Sequence, residues 1–250
     1  MILANRESFA VHSRGTPTAR DYVQNGLVAM WDGIENAGWG RHVDDETQMV
    51  ELVTGTSIIV NVRCGSVRTT AVPVYAIEDT GLHSYTLERD IGIGIPLSVA
   101  KISGARTWTV QGVRTIHAAN VTQGSRGYML MGPTTSKNSG AVFCYPRNNA
   151  FILIYSGEWS LGNAYASTGL NTFSYSSNQS TNKRIVVSDG VVTEGRYAAN
   201  MMVPSDGAYY GFGTAGFVST LHCLRIYNRD LSVDEVALNQ SIDNERFNLP

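Results

Sequence analysis

Charge is scarce in this chain. Only 16% of its 250 residues are Asp, Glu, Lys or Arg, and the 19 basic residues are scattered rather than gathered into a stripe. A net charge of -2 and a pI near 6.2 give no electrostatic case for nucleic acid or an anionic membrane as partner, since binders of either concentrate basic residues on one face. Cysteine is also scarce. Cys64, Cys144 and Cys223 are odd in number, far apart and without Cys-x-x-Cys spacing, which argues against a disulfide framework or a zinc site and for reduced thiols on buried strands. No apolar run approaches the roughly 18 residues of a membrane span, and Met1 to Ala10 lacks the apolar centre of a secretory signal, so the expectation is a chain that neither crosses a membrane nor carries an export signal. His12, His42, His83, His117 and His222 show no metal-ligand spacing, and no Gly-x-Ser-x-Gly elbow occurs.

What is present is β structure. Leu27 to Trp31, Ser57 to Val62, Ala71 to Ile77, Val113 to Ala118, Tyr128 to Met131, Ala141 to Tyr145, Phe151 to Tyr155, Arg184 to Val187 and Phe217 to Tyr227 are rich in Val, Ile and aromatics. Gly, Asn, Ser or Pro separates them, with 25 glycines in all. This is the profile of a sandwich or jelly roll. Ser188-Asp189-Gly190-Val191 reads as a tight hairpin. Asp44 to Leu52 reads as a short helix or a ragged sheet edge, and the polar stretch Ser156 to Lys183 as loops and edge strands. Residues 1–25, with Ser13-Arg14-Gly15-Thr16-Pro17-Thr18, read as a weakly packed arm, either a flexible leader or an anchor, ahead of one domain over residues 26–250.

The end of the chain carries the most complete local signal. His222, Leu224 and Ile226 alternate with Cys223, Arg225 and Tyr227 as on a two-faced strand. Ser232 and Glu235 then form a capping box, flanked by Leu231 and Val236 as a hydrophobic staple, so a helix is expected to start at Val233.

Leu224-Arg225-Ile226-Tyr227-Asn228-Arg229 followed by Leu231-Ser232 and Glu235-Val236 resembles the closing segment of the concanavalin A-like lectin/glucanase superfamily, in particular its laminin-G-like modules. Gly26 to Gly40, with Met30-Trp31-Asp32-Gly33, is similar to the opening strand and loop of such modules in gut Bacteroidetes and their phages. The resemblance implies an all-β, concanavalin A-like jelly-roll sandwich of two antiparallel sheets with a short C-terminal helix. It also implies a secreted, cell-surface or virion setting, and the missing signal then fits a phage structural protein associated with copies of itself or other virion subunits. Where related modules have Trp-x-Asp-Leu, this chain has Met49-Val50-Glu51-Leu52.

The glucanase branch of that superfamily uses a Glu-x-Asp-x-x-Glu motif, because a retaining mechanism needs two carboxylates about 5 Å apart. Here Glu88 and Asp90 are followed by Ile93, so the motif is incomplete and a non-catalytic module is expected, a diverged hydrolase being the alternative. Gly211-Phe212-Gly213-Thr214-Ala215-Gly216 has the letters of a dinucleotide fingerprint but precedes a strand instead of a helix, and reads as a glycine-rich turn. Asp32, Glu35, Asp44, Asp45 and Glu46 could supply oxygens to calcium, a metal some relatives bind, or could be solvated loop carboxylates. Trp39, Trp159, Tyr165 and Tyr175, with Asn163 and Asn171, have the types that bind sugars: rings stack on C–H faces while amides take hydroxyls. Each ring could equally fill the core. The expected function is recognition of a polysaccharide or cell-surface glycan, with a ligand-free structural decoration as the other class.

Overall fold

The computed structural model describes residues 16–34, 48–63, 66–67, 75–78, 81–84, 91–96, 102, 105–117, 126–131, 141–145, 150–154, 158–160, 169–178, 180–181, 183–188, 191–196, 209–215 and 219–249. In chain order the strands are β1 (Leu27–Asp32), β2 (Gln48–Val50), β3 (Ser57–Arg63), β4 (Ser66–Val67), β5 (Tyr75–Glu78), β6 (Gly81–Ser84), β7 (Ile91–Pro96), β8 (Thr107–Ile116) and β9 (Arg126–Met131). They continue as β10 (Ala141–Tyr145), β11 (Ala150–Ile154), β12 (Glu158–Ser160), β13 (Gly169–Asn178), β14 (Lys183–Ser188), β15 (Val191–Arg196), β16 (Tyr209–Ala215) and β17 (Ser219–Tyr227), and the chain closes with helix α1 (Val233–Phe247).

Two sheets result, and every described pairing in them is antiparallel. One runs β15-β14-β13-β8-β17-β6-β5, and the other β12-β11-β10-β9-β16-β7-β3-β2 with β4 beside β3. β17 organises the first sheet. Its one edge pairs along β8, while its other edge is shared, β6 opposite Thr220 and Leu221 and β1 opposite Cys223 to Tyr227. The expected hairpin is present, with Ser188 paired to Val191.

Two local readings change, and a third resolves in favour of one of its alternatives, the sheet edge. Gly169–Asn178, expected among loops and edge strands, is a ten-residue interior strand between β8 and β14. Its small hydroxyl residues are usable there because Ser176 and Thr109 bond to each other at 2.8 Å and both accept from the Leu231 amide, at 3.0 and 3.1 Å, which fixes the approach to α1. Gly211 to Ala215 lie within β16 rather than a turn, with a register shift against β9 between Gly211 and Gly213. Asp44 to Leu52 includes the edge strand β2, and Glu51 just after it is buried. The Glu51 carboxylate accepts from the amides of Met30, at 2.9 Å, Val53 and Thr54, and from the Thr54 hydroxyl, tying the β2–β3 turn to β1. Strand alternation puts Trp108, Val110, Arg114, Phe173 and Tyr175 on the face of the first sheet away from α1, all buried. Gly112 permits this, since a Cβ there would fall 2.6 Å from the Phe173 ring and into the Cys223 carbonyl.

α1 begins where the capping box places it. The Glu235 amide donates to Ser232 Oγ at 3.2 Å, the Ser232 amide donates to Glu235 Oε2 at 2.9 Å, and Asn248 ends the helix in the left-handed conformation. The helix lies on the face carrying Cys223, Arg225 and Tyr227. Leu231 and Val236 pack with Ile185, Val187 and Tyr227, and Ile242 with Met30, Val113 and Cys223.

Residues 16–25, expected as a weakly packed arm, are docked on the fold at a few points. Tyr22 and Ala19 are buried in the cluster under α1, and the Val23 amide donates to Asn239 Oδ1 at 2.9 Å. The reason is that one aromatic with a phenol suffices to anchor an otherwise polar segment.

Candidate functional site

Of the six residues expected to bind sugar, three can be placed. Tyr175 and Asn171 sit on β13, and Trp159 on β12 at an edge of the other sheet; Trp39, Asn163 and Tyr165 lie outside the described residues. Tyr175 is 0% exposed, with its ring 5.1 Å from that of Trp108, so it packs the interior instead of offering a face to a ligand. Asn171 is also buried. Its amide donates to the Gly169 carbonyl at 2.9 Å, and its oxygen accepts from Arg114 Nε at 3.4 Å. Both are corrected from binding to packing residues, because β13 is an interior strand. Trp159 belongs to a different sheet, so it does not share a strand face with them.

The calcium candidates divide likewise. Asp32 is 0% exposed and accepts from Arg246 at 2.6 and 3.1 Å, with a third bond from the Ile34 amide at 3.1 Å. A guanidinium therefore balances its charge, and it is corrected from candidate ligand to ion-pair partner. Glu35, Asp44, Asp45 and Glu46 lie outside the described residues, as do Glu88 and Asp90. Among the described residues no group of three or more His, Cys, Asp or Glu could hold a metal ion.

The strongest constellation was not expected from the sequence. Beneath α1, Arg225 donates to both oxygens of Asp243 at 2.7 Å, and Tyr22 donates its phenol to Asp243 Oδ1 at 2.8 Å. Arg246, itself bridged to Asp32, donates to the Tyr22 oxygen at 3.2 Å, and the Arg225 guanidinium lies 3.9 Å from the Tyr22 ring centre. Arg225 also reaches Cys223 Sγ at 3.3 Å. Burial pushes the Tyr22 phenol and the Cys223 thiol up, so both are protonated at neutral pH. Burial, the largest influence on Arg225, would lower it, but its surroundings together, Asp243 first among them, outweigh burial and the guanidinium stays charged. Two cations face two anions with water excluded, which suits a lock between strands and helix and offers no group poised to exchange a proton. One pattern points to it: Asn239, Asp243 and Arg246 recur at helical spacing on the face of α1 that meets the sheet, where apolar residues would be usual.

No family model and no curated protein matches the sequence. Solved structures do. A complex of Trypanosoma rangeli sialidase with 2,3-difluoro-KDN aligns over 96% of this chain and 36% of that one, with TM-score 0.58 and 15% identity. Domain 4 of AbnA, a GH43 extracellular arabinanase of Geobacillus stearothermophilus, solved with arabinotriose, aligns over 85% of this chain and 97% of that domain, with TM-score 0.54 and 15% identity. A botulinum neurotoxin type C structure, concerned with entry dependent on two ganglioside molecules, aligns over 88% and 51%, with TM-score 0.55 and 9% identity. The fold is shared with proteins that bind or process glycans. This chain spans about a third of the length of the sialidases, and at such identities the likeness is one of fold.

Proposed function

We propose that this chain is a non-catalytic glycan-recognition module, built as a concanavalin A-like sandwich of its two sheets and displayed in several copies on a virion or cell surface. The observation that carries the reading is the match to the arabinanase domain, which takes in nearly all of that domain and was solved with a bound oligosaccharide. The incomplete Glu88, Asp90, Ile93 motif supports recognition without cleavage. With Tyr175 and Asn171 in the interior, stacking falls to Trp159 and Tyr165, hydroxyl recognition to Asn163 between them in sequence, and a further ring to Trp39. One stacked ring contributes roughly 0.5 to 1.5 kcal/mol beyond area burial, so single sites bind weakly and association of copies, with avidity gains of about 10² to 10⁴, makes adhesion effective.

The test presents the protein in multivalent form to arabino-oligosaccharides, sialylated glycans and a general glycan panel, with release of reducing ends assayed in parallel. Binding that falls about three- to tenfold in Trp159→Ala or Tyr165→Ala, with no released sugar, is expected. Released sugar would restore the hydrolase alternative, and silence across the panel would favour a structural decoration.

A further inference from the structure

Residues 16–26 differ from everything they touch. They form no strand, their only buried apolar side chains are Ala19 and Tyr22, and most of the rest are exposed or half-buried. The segment is held by side-chain bonds: Tyr22 to Asp243 and Arg246, the Val23 amide to Asn239, and the Asn25 carbonyl to Arg229 Nε at 2.9 Å. Its backbone bonds are the short turns from Asp21 to Thr18 and from Leu27 to Gln24, and one from the Asn228 amide to the Gly26 carbonyl at 2.9 Å, which fixes the junction itself, while half-buried Val23 rests on the Tyr227 cluster. At its junction with β1 stands Gly26, φ 78, a left-handed position where a Cβ would also meet the Arg229 side chain at 2.9 Å. By contrast β17, underneath, is paired on both edges.

A segment with one aromatic anchor, few backbone bonds and a glycine junction belongs to the least stable part of a native structure. We propose that residues 16–26 are a strap that opens as a unit, hinged at Gly26, and uncovers the Asp32, Arg225, Asp243 and Arg246 cluster and Cys223 while both sheets and α1 stay folded. When the strap is shut, Tyr22 is the lid: its phenol bridges Asp243 and Arg246, and its ring covers Arg225 and shares a packed cluster with Cys223. When it is open, water reaches both ion pairs and the thiol. A partner that takes up the strap is thereby coupled to the polar centre of the fold.

Cys223, free and buried, is the built-in reporter. The full chain is exposed to a thiol-alkylating reagent at low urea concentrations, and labelling of Cys223 is resolved from Cys64 and Cys144 by peptide mass spectrometry. The expected result is a Cys223 labelling rate that does not depend on urea below the unfolding transition, and that rises on the order of tenfold in Tyr22→Phe, which removes a hydrogen bond to a charged group. Hydrogen exchange on the unmodified chain gives a second reading that needs no variant: the Asp21 and Val23 amides should exchange at least about tenfold faster than the Ile226 amide of β17. Labelling that rises with urea in step with global unfolding, or strap amides as slow as those of β17, would overturn the proposal.

Discussion

Glu235 accepts from Arg229 through both carboxylate oxygens, at 2.6 and 2.9 Å, while also closing the capping box on the Ser232 amide. These bonds, Arg229 first among them, lower its pKa from 4.5 to about 2. A carboxylate depressed by folding stabilises the folded state fully above its unfolded pKa and loses that contribution as pH falls through the folded one. The melting midpoint should therefore carry a component lost between pH 4.5 and about 2, and thermal scans of Glu235→Gln should lack that component. Ser232→Ala removes the reciprocal acceptor and should cost about 1 kcal/mol in urea unfolding. Everything needed to foresee this site lies within seven residues of sequence. Tyr175 and Asn171 show the opposite case, since a ring or amide among serines reads the same whether its strand is central or at an edge, and β13 is central only because β8 and β14 flank it.

Element against element, the pair Arg225 and Asp243 joins β17 to α1 at 0% and 1% exposure. Breaking a buried pair from one side leaves an uncompensated charge, so Arg225→Met should cost about 3–5 kcal/mol, whereas replacing both, as Arg225→Met with Asp243→Leu, should recover most of that loss. A double-mutant cycle by urea titration measures the difference. The strands with β-branched and aromatic runs, β1, β3, β10, β11 and β17, were legible within a residue or two, and so was the helix start. β13 and β16 were not, because Ser, Thr and Gly replace the apolar residues by which strands announce themselves; in β13 their hydroxyls bond to β8 and to the loop before α1.

Across the whole molecule, the ion pairs could not be foreseen, because Asp32 and Arg246 stand 214 positions apart and pattern along the chain cannot pair them. The strap changes what truncation should do. If residues 1–25 were an anchor with little part in the core, a chain beginning at Gly26 would keep its melting midpoint and lose only association with itself or a partner. The burial of Tyr22 over two ion pairs instead predicts a sheet that still folds but melts lower, by about 2–4 °C for each kcal/mol the strap contributes, as calorimetry of the two chains would show. The shared edge of β17 also has a meaning in time. Of the described strands β1 leaves the ribosome first and β17 last, so Asp32 waits 214 residues for Arg246, or roughly 10 to 40 s at bacterial to eukaryotic synthesis rates. During that interval Leu27 to Trp31 lacks β17, and the bonds that Met30 makes to the Glu51 carboxylate and the Leu52 amide are the ones already within reach on the nascent chain.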